Sequence, residues 1–325
     1  MRNLLFRILL EVTKYVLKIS LYLNLPLLTS IIFFINLRKV KTQINFKKKI
    51  NIIVLEKSHG IEDIKKLIEF KLDKDLNFFL LSRILIFIIY DFFKKKTHAE
   101  YIDYINKVFE YLKRFIKLNL IISFNIRYDG EKVLQKLDKK LNIKFLVCQK
   151  ECLFNKIQIQ EYEKYLKNED QFQGDIITVY NSIFKEMLVR SNYVDENKVK
   201  VIGMPRADYF YNNKSFKKKE YFLFLLIRPT TGLLFLKNDF NWNEMGMITL
   251  REVLKFAEKN RHIQFIFKTK TVNDHETLDQ QNLIKQKNLE NCKIFNGGDT
   301  QNLILNSKFI ITFNSTAIFE GISSK

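Results

Sequence analysis

Short apolar runs that alternate with amphipathic stretches are the feature of this 325-residue chain that most restricts its fold. From Lys49 onward, runs rich in β-branched and aromatic residues are typical of strands, and stretches with helical periodicity separate them. Such alternation is typical of parallel sheets, in which each strand returns through a helix. The first series predicts strands at 50–55, 119–124, 144–148, 176–180 and 198–202, and helices at 61–70, 100–116, 131–141 and 182–191.

A polar break at 212–219, which ends in Lys217-Lys218-Lys219, divides this alternation into two series. The second series predicts strands at 221–227, 263–267, 293–295 and 308–312, and helices at 247–259, 276–287 and 300–306. We therefore predict an α/β protein with two Rossmann-like domains, residues 49–212 and 213–325, that face a cleft. The apolar run 78–90 is too short to span a bilayer, and we read it as a buried or membrane-facing helix.

Residues 1–48 are predicted to be a separate, basic helical segment. Residues 1–50 carry ten Lys or Arg and a single acidic residue, Glu11. This segment therefore holds +9 of the chain's net charge of +20. As a helix, the start of the chain places basic side chains on one stripe and Leu5, Leu9, Val12, Val16 and Ile19 on the other. The charge-free run 19–37 contains Pro26 and has basic flanks on both sides. We expect an anchor on an anionic cytoplasmic membrane surface, with a helix pair packed on the protein's own core as the alternative.

Composition excludes several other classes of protein. Three cysteines without a CxxC pair argue against a disulfide framework or a structural zinc site, and they favour a cytoplasmic location. The four histidines have no ligand spacing, so no metal site is predicted and no cofactor is expected. Part of the basicity follows from a Lys-, Asn-, Ile- and Phe-rich composition, so we expect no nucleic-acid partner.

The last thirty residues predict a phosphate site. The strand 308–312 is followed by Asn314-Ser315-Thr316, whose hydroxyl and amide groups are suited to cap the next helix. The N–H groups of such a turn, at the carboxyl edge of a sheet, bind anions. Arg228-Pro-Thr-Thr-Gly232 follows the first strand of the second series and predicts a second anion-binding loop through Arg228, Thr230, Thr231 and Gly232.

Two segments resemble motifs of a known superfamily. Val199-Lys-Val-Ile-Gly-Met-Pro-Arg-Ala-Asp208 is similar to the motif that closes the first domain of bacterial surface-carbohydrate and capsule-type GT-B glycosyltransferases and the related polyol-phosphate transferases. Phe313-Asn-Ser-Thr-Ala-Ile-Phe-Glu320 resembles their donor site. Asp175–Tyr180 and the helix start at Gly297-Gly298-Asp299 stand in the order that the family has. The resemblance covers about residues 49–325.

The resemblance implies a nucleotide-sugar donor and names the residues that bind it. Arg206 would bind the donor diphosphate, Ser315 and Thr316 would donate to phosphate, and Glu320 would accept from the ribose diol. The alternatives are a salt bridge of Arg206 with Asp208 or a hinge carboxylate, helix capping by Ser315 and Thr316, and an exposed helix glutamate at 320. Lys270 is a further donor-side candidate. His59, after the first strand, is the candidate general base, with a surface loop histidine as its alternative.

The sequence departs from the family at three points. Lys268-Thr269-Lys270 stands where relatives often have Lys-Pro-His, and Gln149-Lys150-Glu151 lacks the glycine of their Gln-x-Gly. The closing strand and helices are expected after Ser324, so we expect the chain to be a fragment. The function implied is a membrane-associated glycosyltransferase with a lipid-linked or polysaccharide acceptor. The alternatives are a CDP-polyol phosphotransferase, a sugar-nucleotide epimerase and a non-catalytic scaffold.

Overall fold

The computed structural model describes residues 2–39, 50–56, 76–137, 139–150, 152–213, 220–228, 241–271, 274–312, 315 and 317–324. The chain divides into two compact units. The first comprises residues 1–154 and 163–203, and the second comprises residues 155–162 and 204–325. The predicted helix 61–70 lies outside the described residues.

The first unit contains a sheet that is parallel except at one edge. Its strands are β1 (Arg38–Lys39), β2 (Ile50–Glu56), β3 (Leu76–Ser82), β4 (Leu118–Ser123), β5 (Lys144–Cys148), β6 (Ile176–Val179) and β7 (Val199–Val201). Among the described residues they stand in the order β1-β3-β2-β4-β5-β6-β7, and only β1 is antiparallel to its neighbour. Ile53 and Val54 of the interior strand β2 are fully buried, as strands with helices on both faces require.

Helices of the first unit follow the predicted alternation with three differences. They are α1 (Arg2–Tyr22), α2 (Pro26–Asn36), α3 (Arg83–Phe93), α4 (His98–Ile116), α5 (Asp129–Lys132), α6 (Lys156–Leu166) and α7 (Ser182–Arg190). Residues 156–162 of α6 are assigned to the second unit. The helix predicted at 78–90 is wrong in its first half, because Leu76–Ser82 is a strand. Apart from Ser82 and Arg83 the run 78–90 is apolar, and such a run has no periodicity that separates strand from helix. The helix predicted at 131–141 is α5 followed by short 3₁₀ turns, and α6 was not predicted.

The N-terminal helices are part of the first unit's core. Leu17 of α1 and Phe33 of α2 are fully buried, and the ring of Phe33 lies 6.1 Å from that of Phe109 on α4. A turn with Asn24 at φ 52° joins the two helices, and Pro26 opens α2, where its missing N–H costs nothing. The alternative of a helix pair packed on the protein's own core therefore describes the inner face of this segment. Among the described residues, no helix is both long enough and apolar enough to cross a bilayer.

The second unit contains a smaller sheet, in which all the described strands are parallel. Its strands are β8 (Tyr221–Leu225), β9 (Gln264–Lys268), β10 (Cys292–Phe295) and β11 (Ser307–Ile311), in the order β10-β9-β8-β11. Its helices are α8 (Ala207–Asn212), α9 (Trp242–Lys259), α10 (Leu278–Lys287), α11 (Thr300–Asn306) and α12 (Ala317–Ser323). Phe224 and Phe267 pack against α9 through Leu250 and Leu254. On the other side, Leu223 packs with Phe210 of α8, Ile304 of α11 and Ala317 of α12.

Replacing Phe33 tests whether α2 belongs to the core. Phe33→Ala removes a fully buried ring, so the free energy of unfolding of the first unit should fall by about 3–5 kcal/mol. Phe34→Ala is the matched control, because the ring of Phe34 is half exposed. Its removal should lower the free energy of unfolding by about 1 kcal/mol or less. Urea unfolding followed by circular dichroism measures both. Equal losses for the two variants would contradict the packing of α2.

Candidate functional site

The order of strands in the second sheet defines where a ligand is expected. β8 comes first in the chain, β9 and β10 lie on one side of it, and β11 lies on the other. The chain therefore changes direction across the sheet between β8 and β11. In open parallel sheets, ligands bind outside the carboxyl ends of the strands at this switch point. The residues that follow β8 and β11 are those the sequence singled out, Arg228 and Ser315.

Arg206 and Glu320 form an ion pair within the second unit. Nε of Arg206 lies 3.2 Å from Oε1 of Glu320, and the two side chains are only 12% and 10% exposed. Arg206 immediately precedes α8, and Glu320 lies on α12, which packs against α8 through Phe210 and Ala317. The pair thus stands next to the helix that follows β11. Glu320 is not the exposed helix glutamate of the alternative interpretation, and the carboxylate that pairs with Arg206 is Glu320.

Ser315 lies at the start of α12. Its Oγ accepts a hydrogen bond of 3.2 Å from the backbone N–H of Ala317, which is the capping role that sequence reasoning gave as compatible with phosphate binding. Ala317 is buried in the cluster that holds α12 on the sheet. Capping and packing together fix the position of the Ser315 hydroxyl relative to β11.

Arg228 and Lys270 meet at a buried carboxylate. The Arg228 guanidinium lies 2.9 Å from Oδ1 of Asp274, whose side chain is 1% exposed, and its Nε donates to Oδ2 at 3.3 Å. The backbone N–H of Lys270 donates to the same Oδ2 at 2.9 Å, and Glu276 lies 3.5 Å from the guanidinium. Because Arg228 is shared by two carboxylates, its charge is largely neutralised. The side chain of Lys270 is exposed.

Sequence reasoning did not identify Asp274, nor the roles of Lys268 and Thr269 beside it. Lys268 is buried at the end of β9, where burial lowers the pKa of its ammonium group and Asp274 works against that shift. Its Nζ donates to the carbonyl of Thr269 at 2.5 Å. The hydroxyl of Thr269 accepts from the N–H of Gly297 at 3.2 Å. The only signal in the sequence was that the Lys268-Thr269-Lys270 run ends a predicted strand.

The turn after β10 has the conformation that its glycines suggest. Gly297 and Gly298 have φ of 69° and 81°, which side chains rarely adopt, and a Cβ at Gly298 would meet nothing within 4 Å. Asp299 then caps α11 by accepting from the N–H groups of Gln301 and Asn302. The turn is held to β9 through Thr269, so the carboxyl ends of β9 and β10 are joined by hydrogen bonds.

The first unit has a polar cluster of its own at the carboxyl end of β4. The buried Glu131 accepts from the hydroxyl of Ser123 and from Nε of Arg83, and it pairs with that guanidinium. The guanidinium of Arg83 also lies 3.4 Å from the ring centroid of Tyr128. This arrangement neutralises a buried carboxylate and joins α3 to the segment that follows β4. The candidate base His59 lies outside the described residues.

Four donor-side candidates also lie outside the described residues, so their roles stay predictions: Thr230, Thr231, Gly232 and Thr316. The structure thus places Arg206, Arg228, Lys270, Ser315 and Glu320. It brings Arg206 together with Glu320, and Arg228 together with the backbone of Lys270.

Solved structures that this chain resembles include a glycosyltransferase and a UDP-GlcNAc 2-epimerase. A glycosyltransferase from Rickettsia africae ESF-5 is 17% identical with a TM-score of 0.51, over 85% of this chain and 77% of that chain. The S. aureus MnaA–UDP complex is 11% identical with a TM-score of 0.51, over 83% and 75% of the two chains. A Neisseria meningitidis UDP-GlcNAc 2-epimerase bound to UDP-GlcNAc is 11% identical with a TM-score of 0.48, over 83% and 78%.

No protein-family model matches the sequence, and no curated protein does. At these identities, the two structures with the higher TM-score establish the fold alone. The predicted fold class is confirmed: the chain is an α/β protein with two parallel Rossmann-like sheets, and its fold is GT-B-like.

Replacing Asp274 tests the polar centre between β8 and β9. Asp274→Ala removes the acceptor for both Arg228 and the backbone of Lys270, so the second unit should lose about 2–3 kcal/mol of unfolding free energy. Asp279→Ala, on the exposed face of α10, is the control and should change it by less than about 0.5 kcal/mol. Urea unfolding measures both variants. An Asp274 variant as stable as the Asp279 variant would show that the carboxylate does not organise this edge.

Proposed function

We propose that this chain is a nucleotide-sugar enzyme that binds the donor's diphosphate and ribose at the switch point of its second sheet. The observation that carries the proposal is the position of the Arg206–Glu320 pair beside α12, the helix that follows β11. A guanidinium supplies the planar fork of donors that a diphosphate requires, and a carboxylate accepts from a ribose diol. The GT-B-like fold supports the assignment only as an analogy.

The finer proposal is a glycosyltransferase of bacterial surface polysaccharide biosynthesis. In glycosyl transfer, negative charge accumulates on the leaving nucleotide phosphate while the glycosidic bond breaks. Cationic donors held in place before the reaction stabilise that charge. Arg206 has this role in the proposal, because Glu320 and the packing of α8 hold its guanidinium in one position. The Ser315 hydroxyl donates to the same diphosphate, and His59 remains the proposed base for the acceptor hydroxyl.

The proposal also includes a location and an acceptor. The acceptor is a lipid-linked or polysaccharide chain near the membrane, and the enzyme is peripheral on the cytoplasmic face. The motif resemblance and the concentration of basic residues in 1–50 support this part.

Replacing Arg206 tests the donor site. Arg206→Ala removes a charge-assisted contact to phosphate, so binding of the cognate nucleotide diphosphate should weaken by about 2 kcal/mol or more. Arg251→Ala, on the exposed face of α9, removes the same charge elsewhere in the second unit and should leave affinity unchanged. Isothermal titration with UDP-, CMP- and CDP-linked ligands measures the affinities, and circular dichroism confirms folding. Equal affinity of the folded Arg206→Ala protein and the wild type would remove Arg206 from the site.

Replacing Ser315 separates the contribution of its side-chain hydroxyl to nucleotide binding from that of the backbone N–H groups of the turn. Ser315→Ala should weaken nucleotide binding by about 1 kcal/mol, because backbone N–H groups of the turn remain as donors. Ser323→Ala, whose hydroxyl donates to the Phe319 carbonyl near the other end of α12, is the matched control and should have no effect on binding. A loss as large as that of Arg206→Ala would contradict a mainly backbone-based phosphate site.

The nucleotide and the product separate this proposal from its alternatives. Tight binding of a CDP-linked polyol with transfer of the polyol phosphate would identify a polyol phosphotransferase. Conversion of a UDP-sugar to its C2 epimer without an acceptor would identify an epimerase. The absence of binding by any nucleotide, with the protein folded, would favour the non-catalytic scaffold.

A further inference from the structure

The two N-terminal helices carry small hydroxyl side chains on the face that is turned toward the protein. Ser20, Thr29 and Ser30 are fully buried. The hydroxyls of Ser20 and Thr29 lie 2.8 Å apart, Thr29 lies 2.6 Å from the hydroxyl of Tyr104, and Ser20 donates to the Leu25 carbonyl at 2.7 Å. Burial raises the pKa of Tyr104, so this phenol is neutral at ordinary pH and bonds as a neutral group. The inner seam between α1, α2 and α4 is thus partly polar.

The outer face of the same helices is apolar. On α1 the exposed stripe is formed by Val12, Tyr15, Ile19 and Tyr22, which recur at helical spacing. Tyr22 is 77% exposed, and Ile35 of α2 is 73% exposed. Surface helices of water-soluble domains have one apolar stripe, which faces the core, whereas α1 and α2 bury Leu17, Leu21 and Phe33 and also expose large apolar side chains. Hydroxyls that bond between helices, with large apolar side chains facing outward, are typical of helices in contact with lipid.

A third helix extends this apolar surface. α3 packs against α1, and its exposed residues include Ile84 and Phe87, of which Phe87 is 57% exposed. The ring of Phe92 on α3 lies 5.2 Å from that of Tyr22 on α1, so the two helices are in contact at the end of α1. We call the exposed apolar side chains of these three helices, Val12, Tyr15, Ile19, Tyr22, Ile35, Ile84 and Phe87, the outer apolar face.

Basic side chains border this face. Lys18 is exposed between Tyr15 and Tyr22 on α1, and Lys94, Lys95 and Lys96 are exposed directly after α3. Nζ of Lys96 lies 4.8 Å from the ring of Phe92, which itself contacts Tyr22. The acidic residues of α1 and α3 are Glu11, whose carboxylate lies 2.6 Å from Lys14, and Asp91. The border of the apolar face therefore has a net positive charge.

We propose that the outer apolar face lies in the interface of an anionic lipid bilayer, with α1 parallel to the membrane surface. The apolar side chains enter the boundary of the acyl chains, the tyrosine hydroxyls stay at the headgroups, and the lysines contact anionic phosphates. A second copy of the chain is the weaker occupant, because a symmetric contact through this face would bring like charges together. This inference deepens the membrane-proximal part of the proposed function, and it does not depend on the donor site.

Vesicle sedimentation of the full chain tests the proposal. The wild type should bind vesicles of phosphatidylglycerol and phosphatidylcholine more strongly than vesicles of phosphatidylcholine alone. Tyr15→Ser combined with Phe87→Ser should lower the partition coefficient for the mixed vesicles about tenfold or more, because two exposed rings no longer enter the bilayer. Ile183→Ser, on α7 of the same unit and 59% exposed, is the matched control and should leave binding unchanged.

Two further measurements complete the test. Lys18→Glu with Lys95→Glu should abolish the preference for anionic vesicles while the protein stays folded by circular dichroism. Light scattering after gel filtration reports the oligomeric state. Vesicle binding that is equal in the Tyr15/Phe87 variant and in Ile183→Ser overturns the proposal. A wild-type dimer that becomes monomeric in the Tyr15/Phe87 variant, without vesicle binding, overturns it in favour of an interface between copies. Nucleotide titration of the same variants should give wild-type affinity, so a failure of the donor site is recognised separately.

Discussion

Parallel strand pairing is the constraint on which the candidate site depends. Two parallel strands cannot be joined by a tight turn, so each crossover runs from the carboxyl end of one strand back to the amino end of the next. All strands therefore begin at one edge of the sheet and end at the other. In the second unit, this places the ends of β8, β9, β10 and β11 at a single edge. Residues far apart in sequence, such as Arg228 and Asp274, meet there without any local motif that joins them. The topology of the sheet therefore determines which positions meet at this edge, and the residue types at those positions determine the chemistry.

Burying the charges of Arg206 and Glu320 costs desolvation free energy, so the pair is hard to explain by stability of the fold alone. Both side chains are almost completely buried, and removing two charges from water costs several kcal/mol per ion, which their mutual attraction only partly offsets. Nε of Arg206 has no hydrogen-bond partner among the described residues, so its N–H is not directed at Glu320 although the two charges are close. A well-packed apolar pair would stabilise the unit at least as well. The phosphate oxygens of an anionic ligand would accept a hydrogen bond from this N–H, which is the physical reason to propose a donor here.

The sequence predicted the strands better than the contacts between them. Lys144–Cys148 and Thr300–Asn306 have the predicted bounds, because both have clear periodicity and polar boundaries. The strand Leu76–Ser82 was missed because its middle residues, 78–81, are apolar on both faces and lack the alternation of a half-exposed strand. For the candidate site, the motif resemblance named Arg206 and Glu320 separately. Neither Asp274 nor the burial of the ion pair was predictable, since both depend on the packing of helices that are distant in the chain.

The N-terminal helices show which features the sequence predicts and which features are visible only in the structure. The sequence predicts an amphipathic helix and places Val12 and Ile19 on its apolar stripe, and these two side chains face outward in the structure. What the sequence could not indicate is that Thr13, Leu17, Ser20 and Leu21 form the inner face, because that face mixes polar and apolar residues and has no separate signal. Rotating α1 to bury Val12, Tyr15 and Ile19 would expose Leu17 and Leu21 and break the bonds of Ser20. The observed orientation is therefore fixed by the hydroxyl contacts and the two leucines together, and its consequence is an apolar outer surface whose removal from water would be favourable.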